Sequence, residues 1–262
     1  MGVLKELKLK DLVTLLGTSC GIMSIILTID GRYLWAAAAF IYFSMVFDLL
    51  DGIVAKRMNQ ANELGKILDS MSDLLCFGIA PAVLMYRAYT GGGAFPPFAL
   101  MLFCAIFIIG AILRLTWFSI SENKGYEGVT TPVTSSLILT LFFIDTFYGY
   151  FPDSGSLLGE IMKYIIPICM LILPYLNVSR FFVYGEGVRA RENKRITFFL
   201  FLIMGFGLIS SILTFFNHEI TGLYIYVLCV SIAVMLFFYL GIGILNYIKR
   251  KKEMTKSNCI ID

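Results

Sequence analysis

Long apolar runs separated by short polar breaks dominate this chain. Eight of them recur, roughly 12–29, 33–51, 67–89, 97–119, 132–150, 157–178, 196–216 and 222–247. About 20 apolar residues in a helix cross the hydrocarbon of a bilayer, so each run is long enough to span. A backbone in hydrocarbon must satisfy its own polar groups, which favours helices. The pattern predicts an all-α, polytopic membrane bundle of about eight transmembrane helices. The third run is expected to be the weakest by hydropathy, because it carries Asp69 and Asp73. Ahead of the first run, residues 1–10 read as a short interfacial helix, with Leu4 and Leu7 against Lys5 and Lys8. No small-residue cleavage site follows the first run, so the stretch does not read as a cleavable signal.

Composition agrees with the pattern. The chain has 262 residues, 58% apolar and 15% charged, with 23 Phe. These values lie outside the range of soluble domains. Charge then orients the bundle. With the N-terminus in the cytoplasm and the spans alternating, all 21 Lys and Arg except Arg32, Arg87 and Lys163 fall on the inner side. The positive-inside rule asks for this, and an odd number of spans would spoil it. Both termini are therefore expected in the cytoplasm. The net charge of +3 reads as orientation and not as nucleic-acid binding. Five of the six cysteines lie within the runs and Cys259 in the inner tail, so free thiols are expected and no disulfide framework. The single His218 falls in a short outer loop, which argues against histidine chemistry. There is no Gly-rich phosphate loop and no internal repeat. One membrane domain over 1–262 is the simplest organisation, and the composition leaves monomer and homodimer both open.

Four acids then change the picture. Asp48, Asp51, Asp69 and Asp73 lie within or at the ends of runs two and three. One carboxylate in hydrocarbon costs ~3 kcal/mol even on lenient insertion scales, and four close together also repel one another. In a helix, Asp48 and Asp51 share a face, and so do Asp69 and Asp73, with Gly65 one turn further back. The link over residues 56–63 is short, so helices two and three are antiparallel neighbours. Their acidic faces can meet near the inner surface, with Gly52, Ala55 and Gly65 leaving room for a ligand near the backbone. Oxygen donors of this kind suit one or two divalent cations such as Mg²⁺ or Mn²⁺, and two ions roughly 4 Å apart would clamp a phosphoryl group. An acidic patch that anchors helix ends, or the ion path of a cation-coupled transporter, are the competing readings.

Spacing decides among these. Asp48-x-x-Asp51-Gly52-x-x-Ala55-Lys56, eight residues, Gly65, three residues, Asp69, three residues, Asp73 resembles the signature of the CDP-alcohol phosphotransferase family, D-x-x-D-G-x-x-A-R-x8-G-x3-D-x3-D. Even six fixed residues at this spacing have a chance on the order of 10⁻⁵ in such a chain. Lys56 stands where the family has Arg, with Arg57 next. Lys is a point charge without a planar fork. Within the family, Asp69-Ser-Met-Ser-Asp73-Leu-Leu-Cys76-Phe77-Gly78-Ile-Ala80-Pro81-Ala82 resembles the phosphatidylserine synthase branch, with Cys76 for its usual Ser. Asn59 matches that branch, and Asn62 replaces a frequent Ser. Arg114, the loop Gly128-Val-Thr-Thr-Pro132 and Val178-Ser179-Arg180 are similar to that branch too.

The resemblance covers residues 1 to about 185, leaving runs seven and eight (196–248) as two added helices. It implies transfer of a phosphatidyl-type group from a CDP-linked lipid to an alcohol, L-serine in this branch, with release of CMP in phospholipid biosynthesis. It implies Asp48, Asp51, Asp69 and Asp73 as ligands of two Mg²⁺ or Mn²⁺ ions, with Asp73 also the base. Gly52, Ala55, Lys56, Asn62 and Gly65 would hold the CDP-lipid, and Arg114 and Arg180 the acceptor. Inositol phosphate, glycerol 3-phosphate or choline remain alternative acceptors. Discontinuous helices and repeat symmetry, which would favour a transporter, are absent from the pattern.

Overall fold

This computed structural model describes residues 7–58, 63–92, 94–120, 128–148, 157–179, 194–213, 215 and 218–258. Eight helices form among them: α1 Leu9–Asp30, α2 Leu34–Met58, α3 Glu63–Tyr89, α4 Pro97–Ile120, α5 Thr131–Tyr148, α6 Leu157–Val178, α7 Lys194–Leu213 and α8 His218–Asn258. Seven are long and apolar enough to cross a membrane: α1 to α6, and Gly222–Lys249 within α8. The protein is an all-α polytopic membrane protein. The run expected over 196–216 falls on α7, and the interfacial helix expected over 1–10 lies largely outside the described residues.

α1 faces inward with small and polar residues. α1 buries Asp11, Thr14, Gly17, Gly21, Ser24 and Thr28 at spacings of three or four. Its exposed side carries Leu9, Leu12, Leu16, Ile22, Met23, Ile26 and Ile29. This inverts the amphipathic pattern of a soluble helix. Lipid accepts the Leu and Ile, and small residues let backbones approach. A Cβ added at Gly21 would lie 2.5 Å from Cys76 Sγ on α3, and one at Gly17 would lie 3.0 Å from Phe47 Cβ on α2.

α5 sits at the centre. It is buried at nearly every position from 131 to 147. Its most apolar stretch has a mean hydropathy of 1.2, against 1.6 for α3 and 2.6 for α4. The third span is therefore not the weakest. A helix enclosed by protein can carry Ser135 and Thr140, because neighbouring helices supply their partners, while the Thr134 hydroxyl bonds the Thr131 carbonyl of its own helix. Tyr42 of α2 shows this, with its hydroxyl 2.8 Å from Thr140 Oγ1 and 3.2 Å from the Ser136 carbonyl. α7 lays Gly207 on the Tyr42 ring, where a Cβ would come within 2.4 Å of a ring carbon. α8 docks a stripe of Ile225, Cys229, Ile232, Leu236 and Tyr239, all buried, and Tyr226 meets Tyr148 of α5. The last two helices thus pack on α2 and α5. His218 opens α8.

Candidate active site

α2 runs through Met58, beyond the apolar run that ended at 51. Charge ends the run, but Ala55, Lys56, Arg57 and Met58 are good helix formers and carry the helix on. Residues 56–58, expected in the link, are thereby helical. Asp48, Gly52 and Lys56 now follow one another at four-residue steps on one face, with Asp51 and Ala55 beside them. α3 returns antiparallel and presents Asp69 and Asp73 one turn apart.

The two helices bring their acids together. One oxygen from each of Asp48, Asp51 and Asp69 lies within 4.8 Å of the others. Asp73 adjoins this group, its carboxyl within hydrogen-bonding reach of Asp48. Asp51 is buried, and the other three are half-buried. Two unit charges 4.8 Å apart repel by about 3–4 kcal/mol at an effective dielectric near 20. Three such pairs would strain the site without a counter-charge. The donor set is oxygen alone, convergent and partly enclosed, and it fits a hard divalent cation. An added Cβ at Gly52 would meet nothing within 4 Å. No protein neighbour needs that glycine to be small, so the open space beside the carboxylates is available to a ligand.

α1 completes the cluster with residues that the apolar pattern concealed. Thr14 Oγ1 donates to Asp51 Oδ2 at 2.5 Å. Thr18 Oγ1 lies 2.8 Å from Ser72 Oγ, next to Asp73 in sequence. Lys10 lies close enough to act electrostatically on both Asp51 and Asp69, and its Nζ is 3.7 Å from Asp11 Oδ1. Asp11 is fully buried and also caps the helix, accepting from the Lys8 N–H at 2.9 Å. The sequence signal for these residues was their step of three or four along an otherwise apolar helix.

Directly after Asp73, α3 widens into a π-helical turn over Leu74–Ile79, where the Ala80 N–H reaches the Leu75 carbonyl. Pro81 explains part of it. It has no N–H for the Phe77 carbonyl four residues back, and the Ser135 hydroxyl of α5 bonds that carbonyl instead. Such turns often mark functional sites.

The three serine-branch features also come together. The Arg114 Nε donates to the Val129 carbonyl at 3.3 Å, and the guanidinium lies 5.7 Å from the Phe118 ring centre. The Val129 N–H donates to the Leu176 carbonyl at 3.2 Å. Gly128 has φ +81, and a Cβ there would strike the Asn177 carbonyl oxygen at 2.4 Å. The left-handed turn and the close approach both demand glycine. The end of α4, the start of α5 and the end of α6 thus meet at one place. Gly78 opposes Ala111, and Lys66 Nζ donates to the Ser119 carbonyl, so buried Arg114 lies level with the Asp69 and Asp73 turns. Asn62 and Arg180 lie outside the described residues, as does the side chain of Lys56. Gly65 is buried on α3 and Ala55 half-buried on α2.

Comparison with known proteins places this geometry. The CDP-alcohol phosphatidyltransferase family matches residues 7–172. The chain is 31% identical over 160 residues to the CDP-diacylglycerol–serine O-phosphatidyltransferase of Methanocaldococcus jannaschii, covering 60% of this chain and 72% of that protein. It is 34% identical over 145 residues to the archaetidylserine synthase of Methanothermobacter thermautotrophicus, covering 54% and 60%. It is 30% identical over 209 residues to the CDP-diacylglycerol–serine O-phosphatidyltransferase of Saccharomyces cerevisiae, covering 73% and 71%. The matched segment contains the whole acidic signature and both helices that carry it, and the chain belongs to the CDP-alcohol phosphatidyltransferase family.

Proposed function

We propose that this enzyme transfers a phosphatidyl-type group from a CDP-lipid to L-serine and releases CMP, using divalent metal. The observation that carries the reading is the convergence of Asp48, Asp51 and Asp69 within 4.8 Å from two adjacent helices. Relatives named for transfer to serine supply the acceptor.

Asp48, Asp51, Asp69 and Asp73 would hold the metal, two ions of Mg²⁺ or Mn²⁺. When bound, it supplies charge that stabilises the diphosphate as its bridging bond breaks. The chain's own residues do the rest. The open face at Gly52, with Ala55 and Gly65, admits the nucleotide, and Asn62 adds a polar contact. Lys56 stands on the Asp48–Gly52 face and offers charge to the diphosphate. Asp73 takes the proton from the serine hydroxyl as its oxygen forms a new bond to the lipid-bearing phosphorus. The bond from that phosphorus to the bridging oxygen breaks, and CMP leaves with the electron pair. A carboxylate is a weak base for an alcohol, so proton transfer and attack are concerted. Arg114, near the end of α4, and Arg180, by its resemblance to the serine branch, would bind the serine carboxylate. The distribution of Lys and Arg supports a site at the cytoplasmic face of the cell membrane, with both termini on that side. Residues 1–185 form the catalytic core, and α7 and α8 add to it.

A panel of labelled alcohols with CDP-lipid and purified protein tests the acceptor. L-serine is expected to be consumed ahead of glycerol 3-phosphate, inositol phosphate and choline. Arg114→Ala is expected to raise the serine KM roughly ten-fold or more, since a charge-assisted contact contributes about 1.5–3 kcal/mol. Preference for a phosphorylated alcohol would overturn the serine assignment.

A further inference from the structure

The four acids of the signature come from α2 and α3, yet a short polar contact to one of them comes from α1. Thr14 is buried, at 4% exposure, and its Oγ1 lies 2.5 Å from Asp51 Oδ2. The same hydroxyl lies 3.2 Å from the Lys10 carbonyl. One proton cannot serve both acceptors. The contact to Asp51 falls in the range of charge-assisted O–H···O⁻ bonds, and the longer one to a neutral carbonyl does not. The proton therefore goes to the carboxylate. From this geometry we infer that Thr14 is a positioning residue, which fixes Asp51 for cation binding by occupying one face of its Oδ2.

The inference rests on the metal reading above and extends it to a residue outside the signature. Asp51 is itself 7% exposed, so a lost hydroxyl would not readily be replaced by water. Nearby Lys10 acts on both Asp51 and Asp69. Thr14 is β-branched and its rotamer in a helix is restricted, so the hydroxyl is presented with little freedom. Residues that orient metal ligands typically alter metal affinity by 10–100-fold when removed.

The test is Mn²⁺ binding to the purified full-length protein, followed by calorimetry or electron paramagnetic resonance without substrate. Thr14→Val removes the hydroxyl at constant shape and is expected to weaken Mn²⁺ by about ten-fold or more. Thr14→Ser restores the donor and is expected to stay within about three-fold of the wild type. Thr28→Val is the control for burial alone. Thr28 lies on the same buried stripe, but its hydroxyl bonds the Ser24 carbonyl at 2.8 Å, and the variant is expected to bind Mn²⁺ like the wild type. Wild-type affinity in Thr14→Val, or equal loss in Thr14→Ser, overturns the positioning role. Absence of Mn²⁺ binding in the wild type itself overturns the metal reading and the inference with it.

Discussion

Gly52 separates what folding requires from what a ligand requires. A Cβ there meets nothing within 4 Å, and glycine within a helix is less favourable than alanine by roughly 0.5–1 kcal/mol. Gly52→Ala is therefore expected to leave the melting temperature unchanged or raised, while the KM for CDP-lipid rises. A drop in stability with unchanged KM would place the nucleotide elsewhere. Lys56 and Arg57 divide in a related way. α2 continues through both, so Lys56 stays on the face of Asp48 and Gly52, and Arg57 turns about 100° away. Lys56→Ala is expected to raise the CDP-lipid KM roughly ten-fold, and Arg57→Ala to do less. The opposite order in steady-state kinetics would move the diphosphate by one residue. Asp73 is the third case. In the proposed mechanism it is the base, so its replacement by Asn is expected to lower kcat roughly 10²–10⁴-fold with CDP-lipid binding largely kept. Asp48→Asn and Asp51→Asn are expected to weaken metal and nucleotide binding as well. The four acids were legible in the sequence because apolar surroundings make a carboxylate conspicuous. Thr14, Thr18 and Ser72 were not, because small polar residues are common in membrane helices and acquire meaning only from the helix opposite.

At the scale of elements, close contacts set the helix positions. Gly110 of α4 faces Pro174 of α6, where an added Cβ would come within 2.8 Å of the Pro174 Cα. A proline backbone inside a helix cannot move aside cheaply. Gly110→Ala is expected to destabilise by about 1–3 kcal/mol, read as a lower melting temperature in detergent. No change would mean that α4 and α6 are further apart than described. The limits of reading elements from apolar runs also show here. The run that ended at 51 marked the end of hydrophobicity and not of helix, and α2 extends seven residues beyond it, to Met58. The π-helical turn at Leu74–Ile79 has no periodic signature of its own. Pro81 was visible, but its effect depends on the Ser135 hydroxyl from a distant segment.

For the whole molecule, the hydrophobic pattern was enough to give an all-helical membrane protein, because hydrocarbon leaves the backbone few alternatives. It did not reveal which helix lies at the centre. α5 is the least apolar of the spans and the most buried, since enclosure by protein relaxes the demand for hydrophobicity. Nor did it show that α1 supplies Lys10, Asp11 and Thr14 to the acidic end. In the proposed function, carboxylates held this close in an apolar protein are there to bind a cation that the reaction uses. CMP release from CDP-lipid and L-serine, measured before and after chelation, tests it most directly. EDTA is expected to abolish release, and Mn²⁺ or Mg²⁺ added back in excess to restore it. Undiminished CMP release in metal-free buffer would contradict the account.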